Sequence, residues 1–88
     1  MKRLIIGSSM KPALPSLSIQ YFKEEETYKV NDIVIFWAKF LPFQVCHRIR
    51  SIDNEKFSTR GDNRKTTKFF ERNVPIDHIE GKLIEELK

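Results

Sequence analysis

Val45-Cys46-His47-Arg48-Ile49-Arg50-Ser51-Ile52-Asp53-Asn54-Glu55-Lys56-Phe57-Ser58-Thr59-Arg60 contains two extended runs around a turn dipeptide, and this stretch decides the fold class. Alternation with period two sets successive side chains on opposite faces of a strand. Asp53-Asn54 supplies the turn, because both side chains bond nearby backbone and Asn tolerates a left-handed φ. The spacing predicts a hairpin of residues 45–52 with 56–60, with Phe43, Val45, His47 and Ile49 on one face. His47 then projects beside core residues. Upstream, residues 30–37 are the most apolar segment and read as the central strand; residues 17–22 alternate as another strand. Residues 4–7 read as a short strand ending in a Gly7-Ser8-Ser9 turn, and residues 24–27 as a charged turn. Downstream, the hairpin ends at Gly61-Asp62-Asn63. Residues 64–73 read as a basic surface loop, Val74-Pro75 as a turn, and residues 79–87 as a closing strand or short helix. The expected fold is mostly β: a small domain of short antiparallel strands and a hairpin.

With 88 residues, 40% of them hydrophobic and 11% aromatic, one domain spanning residues 1–88 is expected. A chain this short buries only about 60–65% of its unfolded surface, which excludes a second core and a large cofactor cradle. The longest apolar run, residues 33–38, falls far short of the roughly 18 residues a membrane-spanning helix needs. Met1-Lys2-Arg3 followed by Leu4, Ile5 and Ile6 imitates a signal peptide, but its apolar part is too short to serve as one. A single cysteine, Cys46, excludes an internal disulfide and a multi-cysteine zinc site. No metal or cofactor is expected. On a strand Cys46 points away from His47 and reads as packing, and Asp32 reads as a turn residue at the head of a strand.

The surplus of positive charge is local. Between residues 56 and 72, Lys56, Arg60, Arg64, Lys65, Lys68 and Arg72 face only Asp62 and Glu71, a net +4 that equals the charge of the whole chain. Interleaved with Phe57, Phe69 and Phe70, these cations define one functional alternative: a catalytically silent β-rich module whose basic loop contacts nucleic acid or an acidic protein. The sequence carries no nucleic-acid module signature, which argues for a solvated loop and against a nucleic-acid partner. Trp37, Phe40, Leu41 and Phe43 form an apolar connection that reads as core, or as a surface resting against lipid headgroups.

Gly7-Ser8-Ser9-Met10-Lys11-Pro12-Ala13-Leu14 places hydroxyls at a turn before a proline-restricted segment. A serine nucleophile needs that exposure together with a neighbouring base. Two histidines could serve: His47 on the predicted strand, and His78 in a surface turn with Asp77 and Glu80.

This octapeptide resembles the Ser-Met-x-Pro box of type I signal peptidases, and residues 30–36, Val-Asn-Asp-Ile-Val-Ile-Phe, resemble their Gly-Asp-Ile-Val-Val-Phe strand. His47-Arg48-Ile49 and Thr59-Arg60-Gly61-Asp62-Asn63 resemble boxes of the archaeal and endoplasmic-reticulum branch. Ile79-Glu80-Gly81-Lys82-Leu83-Ile84 resembles its closing segment. Five boxes in the family's order cover residues 7–84.

The resemblance implies a serine endopeptidase that cleaves leader peptides after small residues. Ser9 is then the nucleophile and His47 the base, where the bacterial branch has lysine. Asp62 orients the imidazole and stabilises the imidazolium. The substrate, a peptide or preprotein, would lie extended along residues 4–7, with Ile6, Gly7 and Ser8 at the substrate strand and oxyanion site. Two positions depart from the pattern: residues 64–70 hold no second acid, and Gly7 stands where many relatives have serine. The family also implies a membrane location with the catalytic domain on the extracytoplasmic side. Its members carry an N-terminal anchor helix, whereas six residues precede Gly7 here, so the expectation is a soluble relative that processes a particular protein, a truncated form, or a domain that relies on a membrane surface or a membrane-bound partner.

Overall fold

The computed structural model describes residues 1–5, 10–11, 13–15, 17–37, 44–63 and 72–84. Seven strands make one antiparallel, curled half-barrel sheet: β1 (Lys2–Ile5), β2 (Ser18–Lys23), β3 (Ile33–Trp37), β4 (Gln44–Asp53), β5 (Lys56–Arg60), β6 (Val74–Pro75) and β7 (Ile79–Leu83). Their spatial order is β1-β2-β7-β3-β4-β5-β6. The mostly β expectation holds, and the apolar segment expected to be central is β3, the middle strand of the seven.

The β4–β5 hairpin turns on Asn54 and Glu55, both left-handed at φ 49° and 61°. Positive φ at both central residues is what a type I′ turn demands, and that turn matches the right-handed twist of the strands. It falls one residue later than the Asp53-Asn54 dipeptide suggests, because Glu55 hides the signal a glycine would give. Asp32 heads β3 as expected: its Oδ2 accepts from the Lys29 N–H at 2.8 Å, and its carbonyl accepts from the Ile49 N–H at 2.9 Å. Val74-Pro75 pairs with Phe57 and Lys56 as a short strand rather than a turn, and leads into a 3₁₀ turn at Ile76–His78.

Two apolar clusters lie on opposite faces of β3, as strand alternation requires. Val34, Phe36, Ile49, Phe57, Val74 and Ile79 form the larger, with Val45 and Tyr28 packed against it. Phe36 and Phe57 meet edge to face, ring centroids 5.1 Å apart, a preferred arrangement of aromatic quadrupoles. Ile5, Phe22 and Ile35 form the smaller, closed by Cys46 and Leu83. Each fully buried side chain of this size contributes about 1.5–3 kcal/mol.

The N-terminal ribbon reverses what hydropathy suggests. In β2 the buried face carries Gln20 and Phe22, while Ile19 and Tyr21, with Leu17 just before the strand, stand exposed. Leu4 lies opposite Ile19 and shares this outer apolar face. On the inner side, Arg3 of β1 pairs with Glu80 of β7 and bonds Gln44 of β4, and Gln44 also bonds Glu80. This polar triad ties the ribbon to strands whose residues lie 41 and 77 positions away in the chain. Gly81 sits where β2 crosses closest: a Cβ there would lie 3.2 Å from the Lys23 carbonyl carbon and oxygen.

Candidate active site

His47 lies in the middle of β4, opposite Val34 of β3, between Val45 and Ile49 on the face of the larger cluster. It is 8% exposed, so strand alternation brings a titratable ring into the core as the sequence predicts. Ser9, Ser8, Gly7 and Ile6 lie outside the described residues. The described residues bracketing them, Ile5 and Met10, are both buried, and the Leu14 N–H donates to the Met10 carbonyl at 2.9 Å.

Asp62 follows β5 by two residues and is gripped by arginines. Arg48 Nε and Nη2 donate to its two oxygens at 2.9 and 2.7 Å, a fork that fits a carboxylate plane. Arg50 Nη2 approaches at 3.5 Å. The Arg48 hydrogen bonds hold the Asp62 carboxyl below the usual carboxylate range; burial opposes this, and the charges of Arg48, Arg50 and His47 add to the depression. The same hydrogen bond raises Arg48. The structure thus places His47 and Asp62 within electrostatic reach of one another. Asp62's described hydrogen bonds go to Arg48 and Arg50.

Arg48 is the residue the sequence reading left without a role. It stands opposite Arg60 in the β4–β5 ladder, a like-charge juxtaposition that Asp62 relieves. Arginines at alternate positions of one strand, facing a strand that ends in Gly-Asp, are the signal that could have located the clamp. Arg48 Nη1 also donates to the Asn31 carbonyl at 3.0 Å, linking Asp62 to the loop before β3.

Cys46 packs in the smaller cluster on the face away from His47. Burial, and secondarily the charge of Asp62, push its thiol up to about 12, so at neutral pH it is not a nucleophile. His78 stands at the end of the 3₁₀ turn, its Nδ1 3.1 Å from the Trp37 carbonyl oxygen. Trp37 is about half exposed at 49%. Phe40, Leu41 and Phe43 lie outside the described residues, as does most of the basic loop, residues 64–71. Among the described residues no group of three His, Cys, Asp or Glu side chains could hold a metal ion, and no helix is long and apolar enough to cross a membrane. No protein-family model, curated protein or solved structure matches this chain.

Proposed function

We propose that this chain is a serine endopeptidase of the signal-peptidase type, using Ser9 as nucleophile and His47 as general base. The observation that carries the reading is the ordered set of five sequence boxes. The core placement of His47, next to the field of an ionised Asp62, supports it. A ring held among packed strands is fixed in orientation, as a base that must receive one hydroxyl proton requires. β1 is the outermost strand beside β2, with no further strand on its other edge among the described residues. Such an edge offers backbone groups to an extended peptide.

In the proposed reaction Ser9 Oγ attacks the scissile carbonyl as His47 takes its proton, and the Ser9 N–H stabilises the oxyanion. The protonated His47, stabilised by the Asp62 carboxylate, then passes the proton to the leaving amine. Water, deprotonated by His47, hydrolyses the acyl-enzyme and frees Ser9. The test is cleavage of a peptide bearing an Ala-x-Ala leader site. Wild-type protein cuts it, and Ser9→Ala and His47→Gln each abolish cutting while a cooperative urea transition shows that each variant is folded. Cleavage that persists in either variant, or is absent from the wild type, overturns the proposal.

A further inference from the structure

The outer face of the β1–β2 ribbon presents its side chains in rows set by strand pairing. Leu4 lies opposite Ile19, and Lys2 opposite Tyr21. The Ile84 N–H donates to the Tyr21 carbonyl at 2.9 Å, which continues the second row to Ile84. Lys23 lies opposite Lys82 and makes the third. Leu17 stands beyond the first row, just before β2 begins. Alternation turns these side chains to the side away from Ile5 and Phe22, which are buried. Leu17 is 74% exposed, and Leu4, Ile19, Tyr21 and Ile84 are between 45% and 57% exposed. Together they leave about 500 Å² of side chain in water, the size of a functional patch rather than of scattered single residues.

The rows are graded along the strands. Apolar side chains alone fill the end at Leu17, Leu4 and Ile19; Tyr21 with its phenol comes next, beside Lys2, and lysines close the far end. At about 3.4 Å per residue, Ile19 and Lys23 stand about 14 Å apart. A bilayer surface changes in the same order over a similar distance, from acyl chains through a zone that favours tyrosine to the phosphates. Lys23 opposite Lys82 is a like-charge pair, which costs a sheet stability. Glu25 at 3.4 Å and Asp32 at 3.8 Å relieve it in part, and a layer of anionic headgroups relieves it further. A second copy of the chain fits less well. Two such faces would bury about 1,000 Å² in total, the lower limit of a specific interface, and would press lysines against apolar residues or against each other.

We infer that the outer face of the β1–β2 ribbon docks on the surface of an anionic phospholipid bilayer. Leu17, Leu4 and Ile19 enter the acyl boundary, Tyr21 sits at the headgroup level, and Lys23 and Lys82 meet the phosphates. Lysine stems cover apolar surface while the ammonium groups reach the headgroups. Trp37 belongs to the other face of the sheet, since it alternates with Phe36 and shares the side of Ile35. The inference rests on the exposure and register of the ribbon, and holds whether or not Ser9 and His47 cleave peptides.

Flotation with unilamellar vesicles of phosphatidylcholine containing about one-quarter phosphatidylglycerol tests this. The wild type rises with these vesicles, and less of it rises with phosphatidylcholine alone. Leu17→Asn combined with Ile19→Thr lowers the partition coefficient about tenfold or more, because both changes remove apolar side chain from the inserted end. Asn tolerates the left-handed φ of 55° at residue 17, and Thr keeps a β-branched residue in the strand. Lys23→Gln lowers partition about fivefold on the anionic vesicles and leaves phosphatidylcholine binding as it was. Trp37→Ser changes neither. A cooperative urea transition shows that each variant is folded. Wild-type protein that stays in the aqueous phase, or partition that responds to Lys23→Gln and not to the apolar double variant, overturns the inference. So does a doubled mass by light scattering without vesicles that the apolar double variant abolishes, which assigns the face to a second copy.

Discussion

Removing the Asp62 carboxylate should expose how far the arginine clamp holds the end of the hairpin. Both partners are substantially covered, with side-chain exposures of 26% for Arg48 and 14% for Asp62. An exposed ion pair is worth about 0.2–1 kcal/mol, whereas breaking a buried one costs about 3–5 kcal/mol. A forked pair at intermediate burial is expected to show a coupling of about 2 kcal/mol, in the range of a hydrogen bond to a charged group. A double-mutant cycle of Asp62→Asn and Arg48→Met isolates it, because the Arg48 bond to Asn31 is lost in both arms and cancels. The clamp depresses the carboxyl, so its stabilisation is complete above the unfolded carboxyl pKa of about 3.9. It is lost as pH falls through the lower folded value. Urea melts near neutral pH should give the full coupling, and melts at about pH 2 a much smaller one. A coupling below about 0.5 kcal/mol at neutral pH, or one that does not shrink in acid, refutes the clamp.

Gly81→Ala should destabilise the fold by about 1–3 kcal/mol in urea melts, since the new methyl meets Lys23 backbone in a paired strand; an unchanged midpoint rejects that packing. Glu55→Gly should stabilise the protein by about 0.5 kcal/mol, relieving a left-handed residue at the hairpin turn; a lower melting temperature would show that this turn carries no strain. Cys46 should react with Ellman's reagent much more slowly than an exposed thiol, given a partly buried thiol raised to about 12, and modification at the rate of an exposed thiol in native buffer would contradict its packing.

What the sequence made legible was whatever a local period or turn could encode. The alternation through Val45, His47 and Ile49 assigned His47 to the core side of β4, and the apolar run ending at Trp37 marked the middle strand. The turn at Asn54-Glu55 was displaced by one residue because a glutamate occupies a position where glycine is the usual sign. β2 read correctly as a strand, yet its three-residue apolar stripe faces outward, because Phe22 and Gln20 are the residues that the curl of the sheet covers. Hydropathy cannot tell which face of a ribbon will be covered when both carry apolar side chains. The Arg48–Asp62 clamp and the Arg3–Gln44–Glu80 triad join residues distant in the chain, and pairing of that kind leaves no periodic trace. Val74-Pro75 is too short for period two to register, so its turn-like composition concealed a strand.

The position of β7 governs the sequence in which the polypeptide can assemble during its synthesis. β3 to β6 emerge consecutively and pair as sequential neighbours, whereas β1 and β2 join the backbone ladder of the rest of the sheet by way of β7. Until β7 leaves the ribosome, the N-terminal ribbon has no strand edge to pair with and Phe22 lacks the cover of Leu83. A nascent chain stalled before Ile79 would therefore present a chaperone with the N-terminal end while the middle of the protein is already closed.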